Sequence, residues 1–362
     1  MRLPFSHRPA TPGSIPRPMA GGYRLAAALM LGLALACPAP PSRGIESPAE
    51  GRKAPPPGAP ASTWANRASA FGINGHLPSR EDFERMRRGG IRWARIDLTW
   101  DVIEPEPGKY RWDVVDRVVA DAEANGVNLL GILGYCPTWA ASGPSPFFPP
   151  WDVAHWKEFV RTIVGRYKGR IRHWTLWNEP NSESFFRGTL DQYINVVLLP
   201  GAKAAKEADP DCRIVGPDLA HLSGADWDKW LDKILARAGG AFDVIGHHCY
   251  KGKPDDVLRE LDGRKKPWEA PSVRQILEKR GAAGKPFWLT ETGWRSTQVG
   301  EQKQAGYIVA LLRGIAARSW IDKVFLFELR DSPSLPGYGL LRTDGTPKPA
   351  FEAYKGFIEA AE

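Results

Sequence analysis

From residue 70 onward the chain alternates short apolar runs with longer stretches whose apolar positions recur every three or four residues. The first kind of segment reads as a strand buried on both faces, the second as a helix with one apolar stripe. Strands are expected at 70–74, 91–98, 127–135, 174–178, 213–217, 242–250, 287–291 and 323–329. Helices are expected after them at 80–88, 112–125, 151–167, 190–208, 226–238, 273–280, 301–318 and 348–361. Gly89-Gly90 and Gly126 stop the first two helices, and Pro200 should break the fourth. Eight strand–helix units without a break in composition predict an α/β protein with one (β/α)8 TIM barrel at 63–362. A doubly wound sheet fits less well, since no Gly-x-Gly-x-x-Gly follows the first strand.

The first 62 residues follow neither pattern. Residues 1–24 carry Arg2, Arg8, Arg17 and Arg24 and no acid, and an apolar run at 25–36 ends in Ala34-Leu35-Ala36. A basic stretch, a short apolar run and a small-x-small site describe an export signal at 1–36, too short to span a membrane. A start at Met19 would leave a shorter leader of the same kind. Cys37 stands where a bacterial lipoprotein acceptor would, although Ala34 replaces the larger apolar residue preferred there. Residues 37–62, with Pro38, Pro40, Pro41, Pro55, Pro56, Pro57 and Pro60, read as a Pro-rich linker. The barrel is therefore expected outside the cytoplasm: periplasmic, extracellular, or tethered to the envelope. Membrane contact is expected only through lipid on Cys37.

Charge and cysteine usage narrow the chemistry. Without the four leader arginines, 45 basic residues face 41 acidic ones, a net charge of +4, too mild and scattered for a nucleic-acid surface. Cys136, Cys212 and Cys249 are an odd set with no Cys-x-x-Cys, so they read as packing residues. His247 and His248, adjacent on one strand, point to opposite faces and cannot chelate together. No metal and no cofactor are implied, and the oligomeric state is left open.

The candidate chemistry sits at strand ends. His173-Trp174-Thr175-Leu176-Trp177-Asn178-Glu179-Pro180 is an apolar strand running into Asn-Glu, with proline stopping the ladder. Phe287-Trp288-Leu289-Thr290-Glu291 ends a second strand in a glutamate 112 positions later. One strand-end glutamate is ordinarily a solvated rim residue. Two of them, each behind a tryptophan-bearing strand, fit two-carboxylate sugar chemistry at the C-terminal mouth of a barrel. Parity places Trp93, Arg95 and Asp97 on one face of the second strand, Trp177 and Glu179 on one face of the fourth, and His248 and Tyr250 on one face of the sixth. A satisfied core histidine and a structural ion pair are the plainer readings of His248 and Arg95. Fifteen tryptophans suit the flat C–H faces of sugars. Trp100, Trp139 and Trp294, at or just past strand ends, are cleft candidates, with His76 and Phe327 as further contacts. Trp156, Trp227, Trp230 and Trp320 fall in or beside helices and read as packing.

Trp177-Asn178-Glu179-Pro180 with Glu291 resembles the retaining glycoside hydrolases of clan A, as do Arg95, His248-x-Tyr250 and the ending from Tyr338 to Ala350. Family 39 is the nearest likeness, followed by family 5 cellulases, over nearly all of 69–362. The resemblance implies Glu291 as nucleophile and Glu179 as acid and then base, with a polysaccharide or oligosaccharide as substrate. It further implies that Arg95 and Tyr250 keep Glu291 ionised, that Asn178 donates to the sugar 2-hydroxyl, and that Glu179 has a raised pKa. One departure is visible: such enzymes often carry tryptophan at the end of strand eight, where this chain has Phe325, Phe327 and Glu328. A transglycosylase on the same residues, or a barrel that binds glycan without cutting it, are the alternatives. Sugar choice should reside in the loops at 137–150 and 330–338.

Overall fold

The computed structural model describes residues 70–221, 226–263, 265–266 and 268–361; the leader, Cys37 and the Pro-rich linker lie outside them. Eight parallel strands close a barrel in chain order: β1 (Phe71–His76), β2 (Trp93–Thr99), β3 (Asn128–Gly134), β4 (His173–Leu176), β5 (Arg213–Pro217), β6 (Val244–His248), β7 (Phe287–Thr292) and β8 (Ile321–Leu326). Each strand is followed by helix, as parallel pairing demands.

Three expectations are corrected. Pro200 does not break its helix: Leu190–Gln192 runs through a π-helical turn, Tyr193–Leu198, into Leu199–Ala208. Pro200 falls in the first turn of that last segment, where a missing N–H is tolerated, and the widened turn before it absorbs the ring. A helix absent from the sequence reading, Pro254–Asp262, follows β6 and buries Val257 and Leu261. Finally, β4 stops at Leu176, because Trp177 takes a φ of 79° and leaves the ladder.

The barrel interior is layered by strand parity. Trp93, Leu130, Val215, Val244, Trp288 and Phe325 fill its lower half. Lys323 lies over the Trp93 ring at 4.6 Å, and the His173 ring is 5.0 Å from those of both Trp93 and Trp288. Room for Phe325 depends on Gly72, where a Cβ would lie 2.5 Å from that ring. Two residues above Trp93 on β2 comes Arg95, and two above that Asp97, so the interior changes from apolar to polar within one strand.

Outside the strands the helices bury a second core. Trp156, Phe159, Val160 and Ile163 face inward from the helix Val153–Arg166, with the Trp100 ring stacked on Phe159 at 5.2 Å. Removing a buried ring of this size costs roughly 3–5 kcal/mol. Cys136, Cys212 and Cys249 are buried free thiols, in keeping with packing.

Candidate active site

The loop after β4 builds one side of the site. Trp177 donates its backbone N–H to Leu133 at 2.7 Å, and its ring is buried against Phe186 (5.2 Å) and Trp156 (6.2 Å). With the ring anchored in the helix layer, the chain turns again at Glu179 (φ 45°), whose backbone N–H bonds the Asp218 carbonyl at 3.1 Å. The expectation that Trp177 and Glu179 share a face is therefore overturned. Strand parity lapses once φ turns positive, so the ring goes outward and the carboxylate goes into the mouth.

Glu291, on β7, approaches from across the barrel. A carboxylate oxygen of Glu179, one of Glu291 and a ring nitrogen of His248 all lie within 4.8 Å of one another. His248 Nδ1 is 2.8 Å from Glu179 Oε1 and 3.5 Å from Glu291 Oε2. Tyr250 donates its hydroxyl to Glu291 Oε2 at 2.8 Å, and Arg95 donates to Glu291 Oε1 at 2.5 Å. Arg95 also donates to Asn74 Oδ1 (2.9 Å), Asn178 Oδ1 (2.8 Å) and Asp218 Oδ2 (3.0 Å). Asn178 turns its oxygen to Arg95, and its side chain also bonds Tyr135. Glu179 and Glu291 are only 7% and 8% exposed, so the carboxylates meet in a largely water-excluded space.

Burial lowers the His248 pKa, but Glu291, Asp218 and Glu179 raise it more, to about 9. Burial pushes the Tyr250 phenol well above its ordinary value, and Glu291 adds to the rise, so Tyr250 remains a donor. Burial raises the Asp218 carboxyl, yet the Arg95 guanidinium and His248 hold it well below the usual carboxylate range. Among the described residues, Glu179, His248 and Glu291 are the one group whose ligand atoms converge enough to hold a metal ion. The facing carboxylate oxygens already accept from Arg95, Tyr250 and His248, a donor set suited to proton transfer rather than to a metal.

Other candidates are placed differently. Trp100 is fully buried, donates Nε1 to Glu104 Oε2 at 2.7 Å and cannot meet a ligand. Trp139 donates to the Glu104 carbonyl at 3.2 Å and lies edge-on to Trp100 and His155, in the helix layer rather than the cleft. Trp294, 5% exposed, donates to the Lys251 carbonyl at 2.7 Å and packs on Tyr307. In each case the indole N–H needed a buried acceptor, and satisfying it turned the ring into the protein. His76 has both nitrogens occupied, by Asp97 (2.6 Å) and Glu328 (2.9 Å), so it holds two carboxylates instead of offering a free donor. Phe327 stands in the mouth, edge-on to His76 (5.8 Å), Tyr250 (6.2 Å) and Tyr338 (5.4 Å); Phe325 belongs to the apolar layer below.

Asn74 and Asp218 were not singled out from the sequence, and Tyr338 entered only as the start of the ending that resembles the clan. Asn74 and Asp218 touch Arg95; Asn74 is its register partner on the neighbouring β1, while only the closed barrel brings the end of β5 to β2. Tyr338 meets Tyr250 at 5.8 Å through a loop of no regular pattern.

The profile of Glycosyl hydrolases family 39 matches residues 79–360. The chain belongs to this family. A β-xylosidase of Caldicellulosiruptor saccharolyticus is 28% identical over 260 residues, covering 62% of this chain and 51% of the relative. A β-xylosidase of Geobacillus stearothermophilus is 25% identical over 294 residues, covering 68% and 56%. The chain thus spans about half the length of these relatives. Among solved structures, a monomeric β-xylosidase from Caulobacter crescentus CB15 superposes with a TM-score of 0.63 at 22% identity, over 79% of this chain and 67% of that one. A family 39 glycoside hydrolase from Bacteroides cellulosilyticus WH2 gives 0.65 at 22% identity, over 82% and 64%. At that identity the superpositions establish a shared fold. The family 39 barrel therefore carries its paired glutamates on the frame its relatives use.

Proposed function

We propose that the chain is a retaining glycoside hydrolase acting on a β-linked oligosaccharide or polysaccharide, with Glu291 as nucleophile and Glu179 as acid and base. The observation that carries this is the convergence of Glu179, Glu291 and His248 atoms within 4.8 Å. Retaining pairs stand about 5–5.5 Å apart and inverting pairs about 6.5–9.5 Å, the latter leaving room for a water between them. Here the facing oxygens, within 4.8 Å of each other, are closer than the inverting spacing.

In the first step Glu291 attacks the anomeric carbon, the glycosidic C–O bond breaks, and the Glu179 proton goes to the leaving oxygen. In the second, Glu179 takes a proton from water, whose oxygen displaces Glu291 from the same carbon. Arg95 and Tyr250 hold the Glu291 carboxylate in its attacking position, and Asn178 is assigned to the sugar 2-hydroxyl. Two inversions restore the starting configuration. Because two relatives are β-xylosidases, aryl β-xylosides are the first substrates to try.

Glu179→Ala and Glu291→Ala should each lower kcat by at least about a hundredfold, the scale of acid–base catalysis, with the fold intact. Azide should restore turnover with activated aryl glycosides. A variant keeping a tenth of the wild-type rate on a natural glycoside would remove that residue from its role. Proton NMR of the first-formed sugar should show retained configuration, and an inverted product would end the reading. Product analysis distinguishes hydrolysis from transfer to a second sugar.

The same reading includes export through the basic leader and apolar run, with Cys37 as the first mature residue carrying a diacylglyceryl group. Two acyl chains suffice for stable anchoring. Cys37→Ser should release the active enzyme from membranes. Mass spectrometry finding an unmodified Cys37, or another mature start, would replace the anchored form with a freely exported one.

A further inference from the structure

Asp218 is a third carboxylate beside the two glutamates, in a position that no motif marks. It is fully buried at the end of β5 with a φ of 53°. Thr290, the residue before Glu291, donates to its Oδ1 at 2.7 Å; Arg95 and Thr175 donate to its Oδ2 at 3.0 and 3.3 Å. His248 Nε2 lies 3.9 Å from Oδ2, an ion-pair separation rather than a hydrogen bond. Its backbone binds the Glu179 N–H and donates to the Gly246 carbonyl. Gly246 must be glycine, because a Cβ there would fall on the Asp218 carboxylate oxygen. The niche is built for this side chain.

Charge explains what the niche does. The groups facing His248 are Glu179 from the β4 loop, Asp218 from β5, Glu291 from β7, Arg95 from β2, and Tyr250 and neutral His247 on its own segment. With Arg95 and His248 positive and Glu291 and Asp218 negative, the buried cluster is balanced when Glu179 carries its proton. Without Asp218 it would be balanced when Glu179 is ionised. Unbalanced charge is costly where water is excluded.

Resting on the retaining-hydrolase reading, we infer that Asp218 is a positioning residue whose charge holds His248 as imidazolium and makes protonated Glu179, the acid form, the balanced state of the site. His248 then keeps a donor on the pair through both steps. When negative charge passes from Glu291 to Glu179, its Nδ1–H already lies within reach of each.

Asp218→Asn keeps the shape and removes the charge. In it the alkaline limb of kcat/KM should move to lower pH by about one unit or more, the size of one close charge's effect. Turnover of glycosides with poor leaving groups should fall by about 10- to 100-fold, the range measured for outer partners of metal ligands. Activated nitrophenyl glycosides, which need little acid help, should lose much less. An unmoved limb with equal losses on both substrates would reduce Asp218 to a structural part and overturn the inference. Should the variant not fold, NMR titration of the wild-type His248 ring, assigned by its loss in His248→Gln, decides. The ring should stay charged through neutral pH toward about 9. A neutral ring at pH 7 overturns the inference. This titration needs no substrate, so it separates failure here from failure of the hydrolase reading.

Discussion

At the scale of single residues, the site is a set of donors fixed on two carboxylates. Arg95 serves four acceptors at once, Asn74, Asn178, Asp218 and Glu291, which its planar fork allows and a lysine would not. Tyr250 donates a second hydrogen bond to Glu291, at 2.8 Å. A hydrogen bond to a charged group contributes about 1.5–3 kcal/mol. Tyr250→Phe should therefore slow kcat by roughly 10- to 150-fold, since about 1.4 kcal/mol is a tenfold change, and lower the thermal midpoint by a few degrees. Steady-state kinetics beside a melting curve checks both halves. A fall in stability with no loss of rate would reassign Tyr250 to packing.

At the scale of elements, the irregular joints do more for the site than the regular strands. β4 stops where Trp177 turns into the helix layer, and that turn, rather than strand parity, aims Glu179. Just past β5, Asp218 takes a positive φ and its carboxylate occupies the space beside Gly246 on β6. Gly246→Ala should displace the Asp218 carboxylate and with it Arg95, costing about 1–3 kcal/mol in stability through overpacking. Turnover should fall in parallel, because Arg95 holds Glu291. Denaturant unfolding and kcat measured on one preparation make the comparison. An alanine variant as stable and as fast as wild type would show that the niche has slack.

The same contrast shows why the candidates fared unequally. Glu291, Arg95 and His248 were readable because position and alternation along a strand fix where such side chains arrive, and Glu179 and Tyr250 because they lie just past a strand end, although a turn rather than alternation aims Glu179. The structure brings all five together. Trp100, Trp139 and Trp294 sit equally close to strand ends, but their orientation depends on which buried oxygen each indole N–H reaches. Trp100 finds Glu104 one helical turn on, whereas the Glu104 and Lys251 carbonyls that hold Trp139 and Trp294 are distant in sequence and no local pattern announces them.

At the scale of the whole molecule, the cluster at the mouth ties stability to pH. Burial lowers the His76 pKa, but Asp97 and Glu328 raise it more, to about 10. A raised folded value means stabilisation that is complete below the unfolded histidine value of about 6.5 and lost as pH rises through the folded one. Solvent reduces its size, because the His76 side chain is 42% exposed. The thermal midpoint of the wild type should decline between about pH 7 and 10. His76→Gln should show a shallower decline over that window. Parallel curves would mean that His76 gains no proton on folding.

What the sequence determined by itself was the periodicity. Eight alternations of a two-sided apolar run and an amphipathic stretch leave a closed parallel barrel as the arrangement that buries every strand, and the ends of those runs mark its reactive mouth. Only the tertiary structure decided which polar groups share one buried space. Asp218, Asn74 and Glu328 stand far in sequence from their partners, and their roles come from charges and hydrogen bonds that must be satisfied together once barrel closure removes water.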